Sequence, residues 1–359
     1  MALLYVTETL LYSCFSFLMG AFTLQLLPAN KKPSILIRER WLYAAVAGVG
    51  LFAFVPVAIL IIEISQGNDL AAIAQSVIFS FTIGKAWAFT FAVAVFFALY
   101  LFTFPVLTEK RFTIGALVFT IVLLFSIGWS SHAASLTEWS GFLSHSVHFT
   151  AVSVWTGILI VTGWFSKDHA NWLAFLKWFS PVALICFGLT IASGFFMMTV
   201  IMDVNKYISS WPLNYGQALL IKHLFLLPIL LFAFINSVLI KKRLQKKQEF
   251  NPKPWVKAES IVLLFIFVTT AFLGQQEPPH ASADITHSPL FAYFYNGAIP
   301  PVTPVQFGWS SMSTLFSIAA VLFSALSLWS WKQKAVSITF ILSMLLVFFV
   351  YMALISGLH

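Results

Sequence analysis

Apolar runs of about twenty residues alternate with short polar segments along the whole chain. Each run matches the roughly 30 Å thickness of a bilayer's hydrocarbon core, where a helix satisfies all of its own backbone hydrogen bonds. The pattern therefore predicts an all-α fold, a polytopic transmembrane bundle of about ten spans. Their approximate bounds are 2–26, 41–63, 84–105, 113–130, 143–164, 179–202, 217–239, 257–274, 309–331 and 335–356.

The composition supports a membrane protein and disfavours several other classes. Hydrophobic residues make up 60% of the 359 positions and charged residues only 9%, a balance that a water-soluble fold does not carry. We therefore expect a multi-pass protein of the cell membrane whose main partner is the lipid bilayer. The sequence has no phosphate-binding loop and no convincing acid–base or nucleophile group, so we expect no enzymatic activity, unless the haem alternative below holds.

Basic residues mark alternate loops. Of the 20 Lys and Arg residues, 17 fall in the loops after predicted spans 1, 3, 5, 7 and 9, most densely in KKRLQKKQEFNPKPWVK at 241–257. The positive-inside rule places these loops in the cytoplasm and both termini on the extracytoplasmic side. The net charge of +8 is thus a topology signal, and we expect no nucleic-acid partner.

With this orientation, seven of the eight histidines belong to the outer half of the bundle. His145 and His148 are three residues apart at the predicted outer start of span 5, so they share one helix face. His132 precedes them in an outer loop, and His223 lies about 9 Å below the outer end of span 7 at 1.5 Å per residue. A single interfacial histidine needs no ligand, but the group favours a metal site.

Two methionines extend the candidate site. Met198 and Met202 are four residues apart at the outer end of span 6, and thioethers prefer soft ions such as Cu(I). Methionines alone more often fill a core, so their assignment depends on the nearby histidines. The candidate metal ligands are therefore His132, His145, His148, His223, Met198 and Met202.

Charged residues within the spans need partners. Glu8, Glu63, Lys85 and Lys222 lie at similar outer depths, and we expect at least one Glu–Lys pair among them, either for packing or for transport. Glu259 opens span 8 on the cytoplasmic side, where pairing with the basic loop is the simplest interpretation. The outer loop 275–308 has six prolines and the aromatic run FAYFY, and we expect it to cap the bundle or lie on the bilayer, with His280 and His287 able to close over the site.

Four segments together resemble a known family. They are SHAAS (131–135), HFTAVSVWTG (148–157), YGQALLIKHLFLLPILLFAFIN (215–236) and AESIVLLFIFVTTAFLGQQEPP (258–279). In order and character they resemble the core helices of the copper resistance protein D (CopD) family. The likeness carries over His132, His148, Lys222 and Glu259 as motif positions. It suggests three segments: four N-terminal helices (1–130), a four-helix core (131–280) and an outer loop with two further helices (281–359).

The resemblance implies an inner-membrane protein for copper import or resistance. Members often accompany a small extracytoplasmic copper-binding domain, CopC, which this sequence lacks, so a separate CopC-like donor or free copper is implied. We therefore expect copper, as Cu⁺ or Cu²⁺, to bind at the outer site and move inward. Two alternatives stay open. One is a b-type haem redox protein with His148 and His223 as axial ligands. The other is a copper assembly or sensor protein that does not transport.

Overall fold

The computed structural model describes residues 2–66, 69–277, 287–295, 297 and 305–359. Over these residues it is helical without β-strands, and ten helical stretches are long and apolar enough to cross a membrane, which confirms the predicted fold class. The helices are α1 (Ala2–Leu26), α2 (Glu39–Phe52), α3 (Val55–Ser65), α4 (Leu70–Ser80), α5 (Thr82–Thr103), α6 (Lys110–Trp129), α7 (His132–Phe165), α8 (Trp172–Ile201), α9 (Asn214–Leu224), α10 (Leu226–Phe234), α11 (Lys241–Gln245), α12 (Lys253–Leu273), α13 (Pro289–Phe294), α14 (Ser311–Lys332) and α15 (Val336–Ile355).

Two of the spans are composite. The second joins α2 to α3, and the seventh runs through α9, α10, a π-helical segment (Ile235–Ile240) and α11. The chain forms two compact units, Met1–Val200 and Ile201–His359, and each is described by itself. The three-segment division inferred from sequence stays a prediction.

In the first unit, α1 packs against α7, α2 and α6. Small residues let α1 and α7 approach closely, because the backbone of Gly20 faces that of Gly157, and Gly157 in turn faces the carbonyl of Ser16. Helices in membranes associate through such small-residue contacts, since the lipid offers little hydrophobic driving force. The α1–α7 pair is therefore the scaffold of this unit.

In the second unit, α14 pairs with α15, and α12 packs against α9 and α10. Large aromatics fill one end: the Trp255 and Trp331 rings lie 5.5 Å apart, and the Arg243 guanidinium lies 3.9 Å from the centre of the Trp331 ring. At the other end, α13 packs on α9 and α15, and Phe291 is buried. Residues 289–294 of the outer loop therefore pack on helices of this unit, and the expected cap over the bundle stays a prediction.

Loops that the charge pattern assigns to one side lie side by side in the first unit. The Lys167 amide donates to the Ser34 carbonyl at 2.8 Å, and the Leu36 amide donates to the Phe165 carbonyl at 2.9 Å. The Ser34 amide and hydroxyl also donate to the Asp168 carboxylate, which lowers the pKa of that carboxyl. This arrangement agrees with the alternation of loops along the chain. The orientation of the termini remains the prediction of the positive-inside rule.

The end of α1 is capped from the same loop. The Lys32 ammonium donates to the Leu24 carbonyl at 2.6 Å, which satisfies one of the carbonyls that a helix leaves open at its C-terminus. Burial, and then the charge of Lys110, lowers the pKa of Lys32.

Two local features differ from the prediction. Helix α4 was not predicted because its 11 residues are too few to span a bilayer; Asp69 caps it by accepting from the Ala71 amide at 3.0 Å. Helix α7 begins at His132, ahead of the predicted start at 143. Ser131 caps it by accepting from the Ala134 amide at 3.2 Å, and a kink with non-helical torsions follows at Thr137 and Glu138.

Candidate metal centre

His148 is held in a defined orientation between α7 and α8. Its Nδ1 lies 3.1 Å from the Thr190 carbonyl oxygen and 3.1 Å from the Ser193 hydroxyl oxygen. The carbonyl can only accept a hydrogen bond, and the Ser193 hydroxyl donates its own hydrogen to the Leu189 carbonyl. Nδ1 must therefore carry the hydrogen in neutral His148, which leaves the lone pair on Nε2. Metal-binding histidines are commonly oriented in this way by a partner on the second nitrogen.

His145 lies one turn before His148 on α7. Its ring is half-buried, its Nδ1 is buried, and it meets the edge of Phe149 with ring centres 6.1 Å apart. The expected i, i+3 relation is therefore present on one continuous helix. Because α7 starts earlier than predicted, both histidines lie well inside the helix and not in its first turn.

An acidic and phenolic pair from α1 approaches the same place. The Tyr12 hydroxyl donates to the Glu8 carboxylate at 3.2 Å, and the Tyr12 ring packs on Phe149 with centres 5.4 Å apart. His145 and Tyr12 thus both contact Phe149. The i, i+4 spacing of Glu8 and Tyr12 was visible in the sequence, although their proximity to α7 was not.

The remaining candidate ligands are distributed more widely. His132 is the first residue of α7, but its side chain lies outside the described part of the structure, as does His280. Met198 is half-buried on α8, whereas Met202 is buried one residue beyond the end of that helix. Among the described residues, no three or more His, Cys, Asp or Glu side chains form a group that could hold a metal ion. His145 and His148 are the part of the expected site that shares one helix.

His223 belongs to the second unit, where it has its own partner. The Tyr207 hydroxyl lies 2.7 Å from its Nδ1, and the two rings meet edge to face with centres 5.6 Å apart. Burial raises the pKa of Tyr207 to about 12. The described residues give the haem alternative no support.

The expected outer Glu–Lys pair is not among the ion pairs that the structure describes, where Arg111 binds Glu109 at 2.9 Å. Glu63 and Lys85 are exposed, and Glu8 accepts from Tyr12. Lys222 is half-buried beside His223 in α9. The pairing therefore stays a prediction.

Glu259 has a partner that the sequence interpretation did not assign. It is 2% exposed on α12, and the Asn236 amide nitrogen donates to its Oε2 at 2.7 Å. Asn236 lies in the π-helical segment, and a π-helix within a span often marks a functional position.

Two family models match the chain in succession. Residues 1–142 match the N-terminal domain of copper resistance protein D-like proteins, and residues 173–273 match copper resistance protein D. The chain belongs to the CopD family. No curated protein and no solved structure matched the chain.

The matches extend and refine the resemblance seen in sequence. The CopD core match includes Lys222 and Glu259, and the N-terminal match includes His132 and all of the first four spans, which sequence motifs alone left less defined. His145 and His148 lie between the two matched ranges. The chain is thus a multi-pass membrane protein of a copper resistance family, and its own metal ligands are a matter of proposal.

Proposed function

We propose that this CopD family protein binds copper at an outer site built on His145 and His148 and passes it toward the cytoplasm. The observation that carries the proposal is the orientation of His148, whose Nδ1 hydrogen points to Thr190 and Ser193 and whose Nε2 holds the lone pair. An imidazole fixed in this way loses little side-chain freedom when it binds a metal ion.

The other proposed ligands in the first unit are His132 and Met198. Met202 and His223 belong to the second unit, and their part in a metal site stays a prediction from the sequence. Imidazoles accept both oxidation states of copper, and thioethers favour Cu(I). The donor would be free copper or a separate extracytoplasmic CopC-like protein. The membrane potential favours entry of a cation by about 2.3 kcal/mol per charge and 100 mV, so no nucleotide is required.

The test is elemental analysis of the purified protein after exposure to Cu(I) or Cu(II). We expect stoichiometric copper in the wild type and its loss in the His145→Ala/His148→Ala double variant. His169→Ala is the matched control, because His169 is an exposed histidine in the loop after α7. Undiminished copper in a double variant that keeps its helical circular dichroism would remove this site.

The same preparation separates the rival functions. Stoichiometric iron with visible haem absorbance would identify a redox protein. Copper binding without copper accumulation in proteoliposomes would identify an assembly or sensor protein. Accumulation that the double variant loses would support import.

A further inference from the structure

The second unit buries a carboxyl group within a membrane span. Glu259 lies six residues after the start of α12, about 9 Å along the helix at 1.5 Å per residue. Only 2% of the residue is exposed. An ionisable group in this position is costly unless its hydrogen bonds are satisfied, and such groups commonly serve ion or proton movement.

Asn236 supplies a hydrogen-bond donor to this carboxyl group. Its amide nitrogen donates to Glu259 Oε2 at 2.7 Å and to the Trp255 carbonyl at 3.4 Å. The residue is 4% exposed, and its Oδ1 is buried without a hydrogen bond in the described part of the chain. A buried acceptor without a donor costs about 1–3 kcal/mol, so this oxygen marks a position where a donor is expected.

We propose that Glu259 and Asn236 form an exchangeable proton site. In the state described here, the amide nitrogen donates to the carboxylate. When a proton from hydronium binds a Glu259 oxygen, a water molecule is released and the carboxyl O–H becomes a donor. Rotation of the Asn236 amide by half a turn then places Oδ1 to accept that hydrogen. In both states Glu259 and Asn236 share one hydrogen bond, because an amide presents a donor on one side and an acceptor on the other.

The ligand chemistry favours a proton over copper. The pair offers carboxylate and amide oxygens, which are hard ligands, whereas copper prefers imidazole nitrogen and sulfur. The π-helical segment that carries Asn236 interrupts the regular hydrogen-bond ladder beside the site. The proposal does not depend on copper binding.

Few other ionisable groups lie on the helices packed against α12. Helices α10 and the π-helical segment contain none, α15 contributes Tyr351 near its far end, and α9 contributes Tyr215, Lys222 and His223 in the outer half of its span. Helix α12 itself carries Lys253 and Lys257 on the basic side. Glu259 is the acidic group of this set, so a carboxyl signal from the packed helices is assigned to it.

Infrared difference spectroscopy of the purified protein tests the site. The carbonyl stretch of a protonated carboxyl group is recorded between about pH 4 and pH 9, the range that buried carboxyl groups reach. We expect Glu259→Gln to lose one pH-dependent carboxyl signal that Glu249→Gln retains. Glu249 is the matched control because it is exposed in the loop between α11 and α12. Glutamine keeps the shape of glutamate and can still bond to Asn236, so the fold should persist.

A second variant tests the partner. Asn236→Leu should keep the carboxyl signal but move both its frequency and the pH of its midpoint. Identical titrations of the wild type and Glu259→Gln would overturn the proposal. So would a wild-type signal that follows Na⁺ or K⁺ concentration at constant pH.

Discussion

Substitution of Gly157 by alanine tests the scaffold on which the candidate copper site stands. A Cβ at this position would lie closer than 3.0 Å to the backbone of Ser16 on α1. Backbone atoms cannot rotate away as a flexible side chain does. The two helices must therefore separate locally, and the contacts between them weaken.

The expected cost follows from overpacking. An added methyl group in a well-packed interior typically destabilises a protein by about 1–3 kcal/mol. At 1.4 kcal/mol per factor of ten, this corresponds to a roughly 5- to 150-fold change in the unfolding equilibrium. Gly188 is the matched control: it lies in another span, on α8, and a Cβ there meets no heavy atom within 4 Å. Gly188→Ala should leave stability unchanged or raise it by up to about 1 kcal/mol, because alanine favours a helix more than glycine does.

The assay is unfolding in mixed micelles with a denaturing detergent, followed by tryptophan fluorescence and circular dichroism. The chain has 13 tryptophans, which supply the fluorescence signal. The midpoint for Gly157→Ala should fall below that of both the wild type and Gly188→Ala. Equal midpoints for the two glycine variants would refute the close contact of α1 with α7.

Two further predictions concern polar side chains. Ser193→Ala removes one of the two groups that accept a hydrogen bond from His148 Nδ1. Copper affinity, measured by equilibrium dialysis, should fall by up to about 10-fold while helicity stays unchanged. An unchanged affinity would show that Ser193 does not position His148. Burial raises the pKa of Tyr207 from its ordinary 10.0 to about 12, so the folded protein holds the phenol proton more tightly than the unfolded chain does. The folding stability is therefore unaffected by this group below pH 10 and falls by at most about 2.7 kcal/mol as the pH rises to 12. Tyr207→Phe loses the hydrogen bond to His223 and should be less stable than the wild type at neutral pH. Because phenylalanine does not ionise, this difference should shrink between pH 10 and 12. A constant deficit in thermal melts would contradict the assignment.

The spans were predictable because the bilayer imposes one simple rule on sequence. An apolar run of sufficient length must be a helix, and the ten expected runs are the ten observed stretches. The rule does not detect a helix that is too short to span a bilayer, such as α4. It also does not detect a polar helical segment that precedes an apolar one, as at the start of α7. In α7 the serine cap was readable at Ser131, but the polar residues that follow it resemble a loop.

The partners of the site residues were harder to predict. Thr190 and Ser193 approach His148 from a different helix, and hydroxyl and carbonyl groups of this kind occur along every span. Their meeting depends on helix packing, which a single sequence does not specify. Glu259 illustrates the same limit, since the hydrogen bond from Asn236 comes from another span and the sequence did not indicate it.

His148 and His223 differ in what their hydrogen-bond partners permit. The Thr190 carbonyl can only accept, so His148 has a defined tautomer with its lone pair on Nε2. The phenol on His223 can donate or accept, so Nδ1 of that ring is either the acceptor or the donor, and the tautomer is not fixed by the contact. A metal ion binds the ring nitrogen that carries the lone pair, which is Nε2 in this tautomer of His148. His148 is therefore the stronger ligand candidate, and His223 with Tyr207 is better suited to holding together the outer part of the second unit.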